Sequence, residues 1–375
     1  VLIYGLGGMG LSIAYASSPG NANVLEALEY IAIEKGDEVV RRHWLEARMT
    51  VNPDNPDLLR AHAHLLAKMG DMEAERDVLR LEALGLDTPA DRSLLSGLRA
   101  RAGSRSEALE SIEQALAEDP TQSKDWLSYA NLLHQEGEMS KALDAADKCL
   151  ELDRQNGGAW ALSATILAPK QNRLKEALKA AVHAVALDAG GVDLILLKAD
   201  LLLAEGSATA AEESLTKALE KDMMNGELRA RIATRHLLDG RPDDAQKLLD
   251  ETPVGIDHAL LHVVEGRLHL VNADKQRDGT GETDATLLSV AISAFEGALK
   301  LNRELGVAWL GMARTNRLLR NLDAAEEALT RARRLLPEDD SSAAAEAALL
   351  ALDQGDVTAA ANLIDVADIH GDSAV

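Results

Sequence analysis

Four side chains that can bind a metal or a proton stand close together in the second half of the sequence: His258, His262, Glu265 and His269. Their spacing places them within roughly 60° of one another on one face of a helix. Two histidines at i and i+4 with a nearby carboxylate can bind a divalent transition metal, and histidines titrate near neutral pH. The stripe predicts a metal site or a proton-sensitive switch, with a locally polar packing surface as the alternative.

A glycine motif lies near the start of the sequence. Gly5, Gly7 and Gly10 follow the strand-like VLIY with the spacing GxGxxG, which lets a backbone approach a pyrophosphate in dinucleotide-binding folds. The context is missing, because Pro19 would end the following helix early and no second strand delivers an acidic residue. We therefore expect no dinucleotide and no other cofactor.

The same segment also has the features of an export signal. Residues 1–16 carry no charge and end in Ala14-Tyr15-Ala16, like the apolar region and small-residue cleavage site of a secretory signal. A shortened membrane anchor fits as well, although a span needs about 20 residues. Residues 1–21 are therefore expected to be a signal-peptide-like or anchor segment. The protein would then be exported (periplasmic) or membrane-anchored, and a buried cap on a cytoplasmic protein is the alternative.

Composition limits the partners. The 375 residues carry a formal charge of −23, from 62 acidic and 39 basic side chains. Phosphate and anionic lipid require clustered basic surfaces, so we expect no nucleic acid, and contact with a membrane only through the N-terminal segment. The single cysteine, Cys149, allows neither an internal disulfide nor a cysteine-based zinc site.

An internal repeat must position all of these residues. In residues 123–156, large, small and glycine side chains fall at positions 4, 7, 8, 11, 15, 20, 24, 27 and 30 of a 34-residue unit: Trp126, Tyr129, Ala130, Leu133, Gly137, Ala142, Ala146, Cys149 and Leu152. The same register recurs along the chain. The units are residues 22–55, 56–88, 89–122, 123–156, 157–191, 192–225, 226–258, 259–305, 306–340 and 341–374.

This pattern resembles the tetratricopeptide repeat family. The resemblance implies an all-α fold, an α-solenoid of about ten helix-turn-helix repeats forming a right-handed superhelix. Small residues at positions 8, 20 and 27 let two amphipathic helices cross closely. Glycine at position 15 is expected to end the first helix in the left-handed conformation.

One unit departs from the period. Residues 259–305 contain an insertion, residues 272–284, whose polar sequence NADKQRDGTGETD predicts a surface loop. Asp274, Asp278 and Glu282 resemble part of a calcium loop, but Ala285 stands where such a loop needs a bidentate glutamate.

By resemblance to the family, positions 2, 5, 9, 12 and 13 of each unit face a concave groove. We therefore expect a partner to contact Arg60, His64, Lys68, Leu127, Asn131, His134, Gln135, Leu196, Asp200, Arg267, Leu310, Arg314 and Arg317. These residues are basic at both ends of the chain and apolar between. Such a surface would suit an extended or helical peptide with acidic ends.

The sequence contains no nucleophile–base arrangement and no phosphate loop in its proper context, so we expect no enzyme. The expected function is a non-catalytic scaffold that binds a peptide or protein segment in a cell-envelope, exopolysaccharide-export or pilus-type assembly. The alternative is a regulatory or sensory module tuned by metal or pH at the histidine stripe. The choice of assembly rests on analogy between folds.

Overall fold

A computed structural model describes residues 15–280 and 284–363, except the side chains of residues 171 and 276–280. The described residues form α-helices and connecting turns without a β-strand, which confirms the predicted all-α class. The N-terminal apolar segment and its glycine motif lie almost wholly outside the described residues. No described helix combines the length and apolarity that a bilayer span requires.

The chain divides into two compact units, residues 1–190 and 191–375. The described residues of the first form five antiparallel helix pairs: α1 Ala22–Lys35, α2 Glu38–Val51, α3 Pro56–Met69, α4 Ala74–Ala83, α5 Pro89–Ala102, α6 Arg105–Glu118, α7 Ser123–Gln135, α8 Met139–Leu152, α9 Gly157–Leu167 and α10 Leu174–Ala186, the last preceded by a 3₁₀ turn at Gln171–Arg173. Each pair packs on the next, so that neighbours bury the faces that one pair leaves open.

In the second unit, the part of the chain that the structure describes forms four pairs and a further first helix: α11 Gly191–Ala204, α12 Ala208–Lys221, α13 Gly226–Leu238, α14 Pro242–Asp250, α15 Ala259–Thr280, α16 Ala285–Leu301, α17 Gly306–Leu318, α18 Leu322–Leu335 and α19 Ser341–Gln354. Residues 357–363 are also helical. The boundary between the units falls at Gly190 and Gly191, both of which have positive φ.

The turn between the helices of a pair behaves as the sequence predicts. Seven of the described first helices, α19 included, are followed by a glycine with φ between 65° and 85° at the fifteenth position of the repeat: Gly36, Gly70, Gly103, Gly137, Gly206, Gly240 and Gly355. In the pair α17/α18 this position is Arg320, which adopts a φ of 64° without being glycine. Its guanidinium is mainly exposed and forms an ion pair with Asp353.

Alanine fills the crossing points of the helix pairs. Ala130 on α7 and Ala142 on α8 are fully buried, and the corresponding residues of other pairs, such as Ala164, Ala177 and Ala313, are buried as well. Without a bulky side chain at these points the two helix backbones approach closely, which makes a continuous core from short helices.

Tryptophan at the fourth position of a repeat links the start of the first helix to the preceding turn. The indole Nε1 of Trp126, Trp160 and Trp309 donates to the carbonyl oxygen six residues earlier, at distances of 2.8, 2.9 and 2.9 Å. The ring therefore packs in the core while its N–H satisfies a carbonyl in the preceding turn.

The prediction of a surface loop at residues 272–284 is wrong over most of this range. Helix α15 continues through residues 272–280 to Thr280 and so includes most of the insertion. The physical reason is packing, because Leu270 and Ala273 are buried against Leu288 of α16, which begins early to match. A helix at residues 274–280 is also incompatible with a calcium loop.

The only phenylalanine of the chain, Phe295, explains two glycines inside helices. Its ring is fully buried and lies against Gly266 of α15 and Gly311 of α17. A Cβ atom on Gly266 would stand 2.6 Å from the ring. The Phe295 ring of α16 thus fills the space that Gly266 and Gly311, which have no side chain, leave open on the neighbouring first helices.

Candidate functional site

In residues 191–363, helices α11, α13, α15 and α17 are the first helices of successive pairs. Helix α15 contacts both α13 and α17, and Asp200 of α11 forms an ion pair of 3.1 Å with Arg231 of α13. We call the exposed side of these four helices the first-helix face.

A cleft of about 70 Å³ opens on this face between α11 and α13. Leu196 and Leu215 form its buried floor, whereas Leu203 is partly buried and Leu238 is 73% exposed. The lining is predominantly apolar, so the cleft matches one aliphatic side chain.

Paired charges surround the cleft. Glu212, from α12, accepts hydrogen bonds from Arg241 at 2.6 Å and from His236 at 3.0 Å. The hydrogen bond from Arg241 holds the pKa of Glu212 below its usual value, although burial opposes this shift. These pairs keep the rim polar and fixed around an apolar floor, as in binding surfaces with an apolar centre.

Two arginines lie beyond the cleft, at the ninth position of their pairs. Arg314 of α17 is exposed and forms an ion pair of 3.4 Å with Asp274. Arg267 of α15 is partly buried and has neither a hydrogen bond nor an ion pair with the described residues. Burial lowers the pKa of Arg267, the nearby charge of Arg314 lowers it further, and Asp340 acts in the opposite direction.

Arg317 was predicted to contact a partner, but its guanidinium forms ion pairs within the fold. It binds Glu346 at 2.5 Å and Asp353 at 3.1 Å, and the arginine and Glu346 are largely buried. Burial disfavours the charge, but the hydrogen bonds with these carboxylates raise the pKa of Arg317. Leu310 packs against the core around Ala313.

In the first unit, the predicted residues have mixed roles. Arg60 binds the buried carboxylate of Asp91 at 3.0 Å and donates to the carbonyl of Leu86, so its charge also serves the fold. His64 is exposed on α3, and Lys68 is exposed but forms an ion pair with Glu38.

The residues predicted on α7 are engaged locally. Leu127 packs against the buried cluster around Cys149 and Ala159, and the Asn131 side chain donates to the carbonyl of Leu127 at 3.0 Å. His134 Nδ1 lies 3.2 Å from the sulfur of Met139, whereas Gln135 is exposed. These contacts leave the predicted role of α7 in partner binding as a prediction.

The side chains of the histidine stripe do not converge on one point in the structure. Among the described residues, no three His, Cys, Asp or Glu side chains converge where one ion could touch all of them. Instead His262 binds Asp257 at 2.8 Å and lies 3.5 Å from Glu265, while His258 packs against Gly226. The ring Nδ1 atoms of His258 and His269 are buried. These contacts are compatible with a polar packing surface, and metal binding and proton sensing there stay predictions.

The sequence analysis missed Leu238 and Arg231 of the cleft. Leu238 occupies the thirteenth position of its unit, one of the groove positions of the family, so carrying all five positions into residues 226–258 would have found it. Arg231 has no such signal, because it joins the cleft through Asp200, which is 31 residues earlier.

Comparisons with known proteins identify the family. Models of the tetratricopeptide repeat match residues 126–156 and 202–254. No curated protein matches the sequence.

Among solved structures, the human IFIT1 dimer with PPP-AAAA is 18% identical, covers 85% of this chain and 80% of that chain, and gives a TM-score of 0.50. A tetratricopeptide repeat protein from Parabacteroides merdae is 18% identical over 79% of this chain and 98% of that chain, with a TM-score of 0.38. At these identities the likeness to solved structures shows the fold alone. Since two models of one repeat family match separate stretches, this chain contains tetratricopeptide repeats at residues 126–156 and 202–254.

Proposed function

We propose that the chain is a non-catalytic scaffold that holds a peptide segment of a partner protein on the first-helix face. The cleft between α11 and α13 carries this proposal, because its apolar floor is open to solvent and lies within a charged rim. An aliphatic side chain of the partner would enter the cleft, and the polar rim would orient the rest of the segment.

The exposed leucine at the rim allows a direct test. Random peptides displayed on phage are selected on the whole chain, and the selected peptides are then measured against Leu238→Asp. A bound peptide would remove water from the new carboxylate at the rim, which costs free energy. We therefore expect the affinity for the peptide to fall about tenfold. Because Leu238 is mainly exposed, the variant should keep its fold, which circular dichroism verifies.

Val254→Asp is the matched control. Val254 is a fully exposed aliphatic residue of the same unit and lies outside the cleft, so the same change of charge should leave binding intact. Failure to enrich any peptide, or an equal loss in both variants, would refute the proposal.

We further propose that the scaffold works in an exported or membrane-tethered assembly of the cell-envelope, exopolysaccharide-export or pilus type. The uncharged run in residues 1–16 supports this location. Fractionation of the full-length gene product, with its mature N-terminus read by mass spectrometry, tests it. Cleavage after Ala16 or an intact N-terminus in the membrane fraction would agree, whereas an intact N-terminus in the cytosol would overturn it.

A further inference from the structure

His62 of α3 is buried between two carboxylates that come from different helices. Its Nδ1 lies 2.6 Å from Oδ2 of Asp77 on α4, and its Nε2 lies 3.6 Å from Oε1 of Glu46 on α2. The side chains of His62 and Asp77 are only 2% and 3% exposed, so little water reaches either group. Because α2 belongs to the first helix pair and α3 and α4 to the second, these contacts join two neighbouring repeats.

Glu46 faces the Nε2 side of the ring as an anion. Arg42, also on α2, donates to Glu46 at 2.7 Å and binds Asp71, in the turn between α3 and α4, at 2.7 Å. The hydrogen bond from Arg42 holds the pKa of Glu46 below its usual value, although burial opposes this shift. Among the described residues, Glu46 and Asp77 are the carboxylates within ion-pair distance of the His62 ring.

Both contacts favour an imidazole ring with a hydrogen on each nitrogen. A neutral ring with its hydrogen on Nδ1 would turn the lone pair of Nε2, which is buried and makes no hydrogen bond, toward the Glu46 carboxylate. The other neutral form would place the Nδ1 lone pair against Asp77. A carboxylate repels a lone pair and attracts an N–H, and a buried carboxylate is stable only when a positive charge compensates it. The exposed Arg76, 3.8 Å from the second oxygen of Asp77, gives little of that compensation.

We infer that His62 is a buried imidazolium at neutral pH, and that its Nε2 proton holds the first helix pair on the second. Charges of alternating sign then run from Arg42 through Glu46 and His62 to Asp77. The stability that a cation in the folded state contributes is present while the proton is bound and is lost as rising pH removes it. The apolar contacts of Leu45 with α3 do not titrate, so the first pair should loosen in alkaline solution without general unfolding.

Nitrogen NMR of the whole chain, labelled with nitrogen-15 in histidine, tests the state of the ring directly. At neutral pH, the resonances that disappear in His62→Gln should show a hydrogen on both ring nitrogens. If this variant does not fold, the ring is identified as the histidine whose resonances move most in Glu46→Gln. A hydrogen on one nitrogen alone would overturn the inference.

Glu46→Gln tests the effect on stability, and the fold should tolerate it because the Glu46 side chain is 45% exposed. At about pH 6 we expect this variant to melt about 2 to 4 °C below the wild type, since Nε2–H loses its anion. At about pH 9 the difference should vanish or reverse, because a neutral Nε2 can accept a hydrogen bond from the new amide. A difference that is the same at both pH values would overturn the inference.

Glu34→Gln is the matched control. Glu34 is an exposed carboxylate on α1 of the same pair, so its replacement removes the same charge away from the His62 ring. The melting temperature of this variant relative to the wild type should not change sign between the two pH values. A change equal to that of Glu46→Gln would mean that net charge, and not the contact with His62, causes the effect, and would overturn the inference.

Hydrogen exchange then locates the effect within the chain. At about pH 6, amides of α1 and α2 should exchange about fivefold faster in Glu46→Gln than in the wild type, and at about pH 9 the two proteins should exchange alike. Comparing the two proteins at one pH removes the intrinsic dependence of exchange on pH. Amides of α7 and α8 should be unaffected by the substitution. Faster exchange in α7 and α8 as well would refute a joint confined to the first two pairs.

Discussion

Arg229 stands at the fourth position of its helix pair, where three other pairs carry a tryptophan. Its Nη2 donates to the carbonyl oxygen of Met223, six residues earlier, at 3.3 Å. Nη1 donates to the Leu248 carbonyl at 3.1 Å, and the buried Nε has no partner. The guanidinium thus reaches the carbonyl that an indole would reach, but brings a charge into the core.

We expect Arg229→Trp to raise the free energy of unfolding by about 1 kcal/mol, because it removes a buried charge and an unsatisfied donor while keeping one N–H for Met223. Urea unfolding followed by circular dichroism measures the change. Arg229→Ala is the control and should lower stability, since it leaves a cavity and two carbonyls without donors. A tryptophan variant less stable than the wild type would show that the charge is required.

Tyr129 gives a prediction at high pH. Burial, the hydrogen bond to Glu113 and the charge of Glu113 raise the pKa of Tyr129 to about 12. A pKa raised in the folded state favours the neutral phenol, so the resulting stability is present below the unfolded pKa of about 10 and is lost as pH rises through the folded value.

Tyr129 should therefore ionise well above pH 10, the usual value for a tyrosine, as absorbance of the phenolate would show. Tyr129→Phe should remove this late step and the associated loss of stability, with the rest of the titration unchanged. Ionisation of all tyrosines in one step near pH 10 would contradict the prediction.

At the scale of elements, Phe295 couples three helices. Gly266→Ala and Gly311→Ala would each push a methyl group against its ring, and we expect each to lower the free energy of unfolding by about 1–3 kcal/mol. Adding Phe295→Leu should recover part of the loss, because the smaller side chain leaves room for the methyl group. Denaturant unfolding of the single and double variants measures the coupling.

Gly97→Ala is the matched control for these substitutions. Gly97 lies inside α5, and nothing stands within 4 Å of a Cβ at this position. The change should therefore stabilise the chain by up to about 1 kcal/mol through helix propensity. Equal changes in the free energy of unfolding for Gly97→Ala and Gly266→Ala would mean that the Phe295 ring does not cause the destabilisation.

At the scale of the whole molecule, the charge of −23 opposes compactness. Salt screens this repulsion and also weakens exposed ion pairs, each of which contributes about 0–1 kcal/mol. Because the excess of acidic residues is spread over the chain, we expect the first effect to win, so that sodium chloride raises the melting temperature. Near the pI of about 4.8 the same salt should give no such rise, and a fall at neutral pH would contradict the prediction.

The fold class and the turn glycines follow from the amino-acid sequence alone. Alanine at the crossings and glycine at position 15 each act within one helix pair. Their recurrence every 34 residues is therefore enough to predict their structural roles. The groove positions came from the family resemblance, and the structure puts Leu196 and Arg267 at or near an open surface while it engages Arg317 in the core.

Which side chains remain available to a partner depends on contacts that form only in the folded chain. Arg317 finds Glu346 29 residues later and Arg60 finds Asp91 31 residues later, whereas Arg267 finds no acceptor among the described residues. The continuation of α15 through the polar insertion likewise depends on α16 packing beside it. Ion pairing and burial are set by neighbours in space, and a repeat pattern records the spacing of small and large residues but not the partner that each charge will meet.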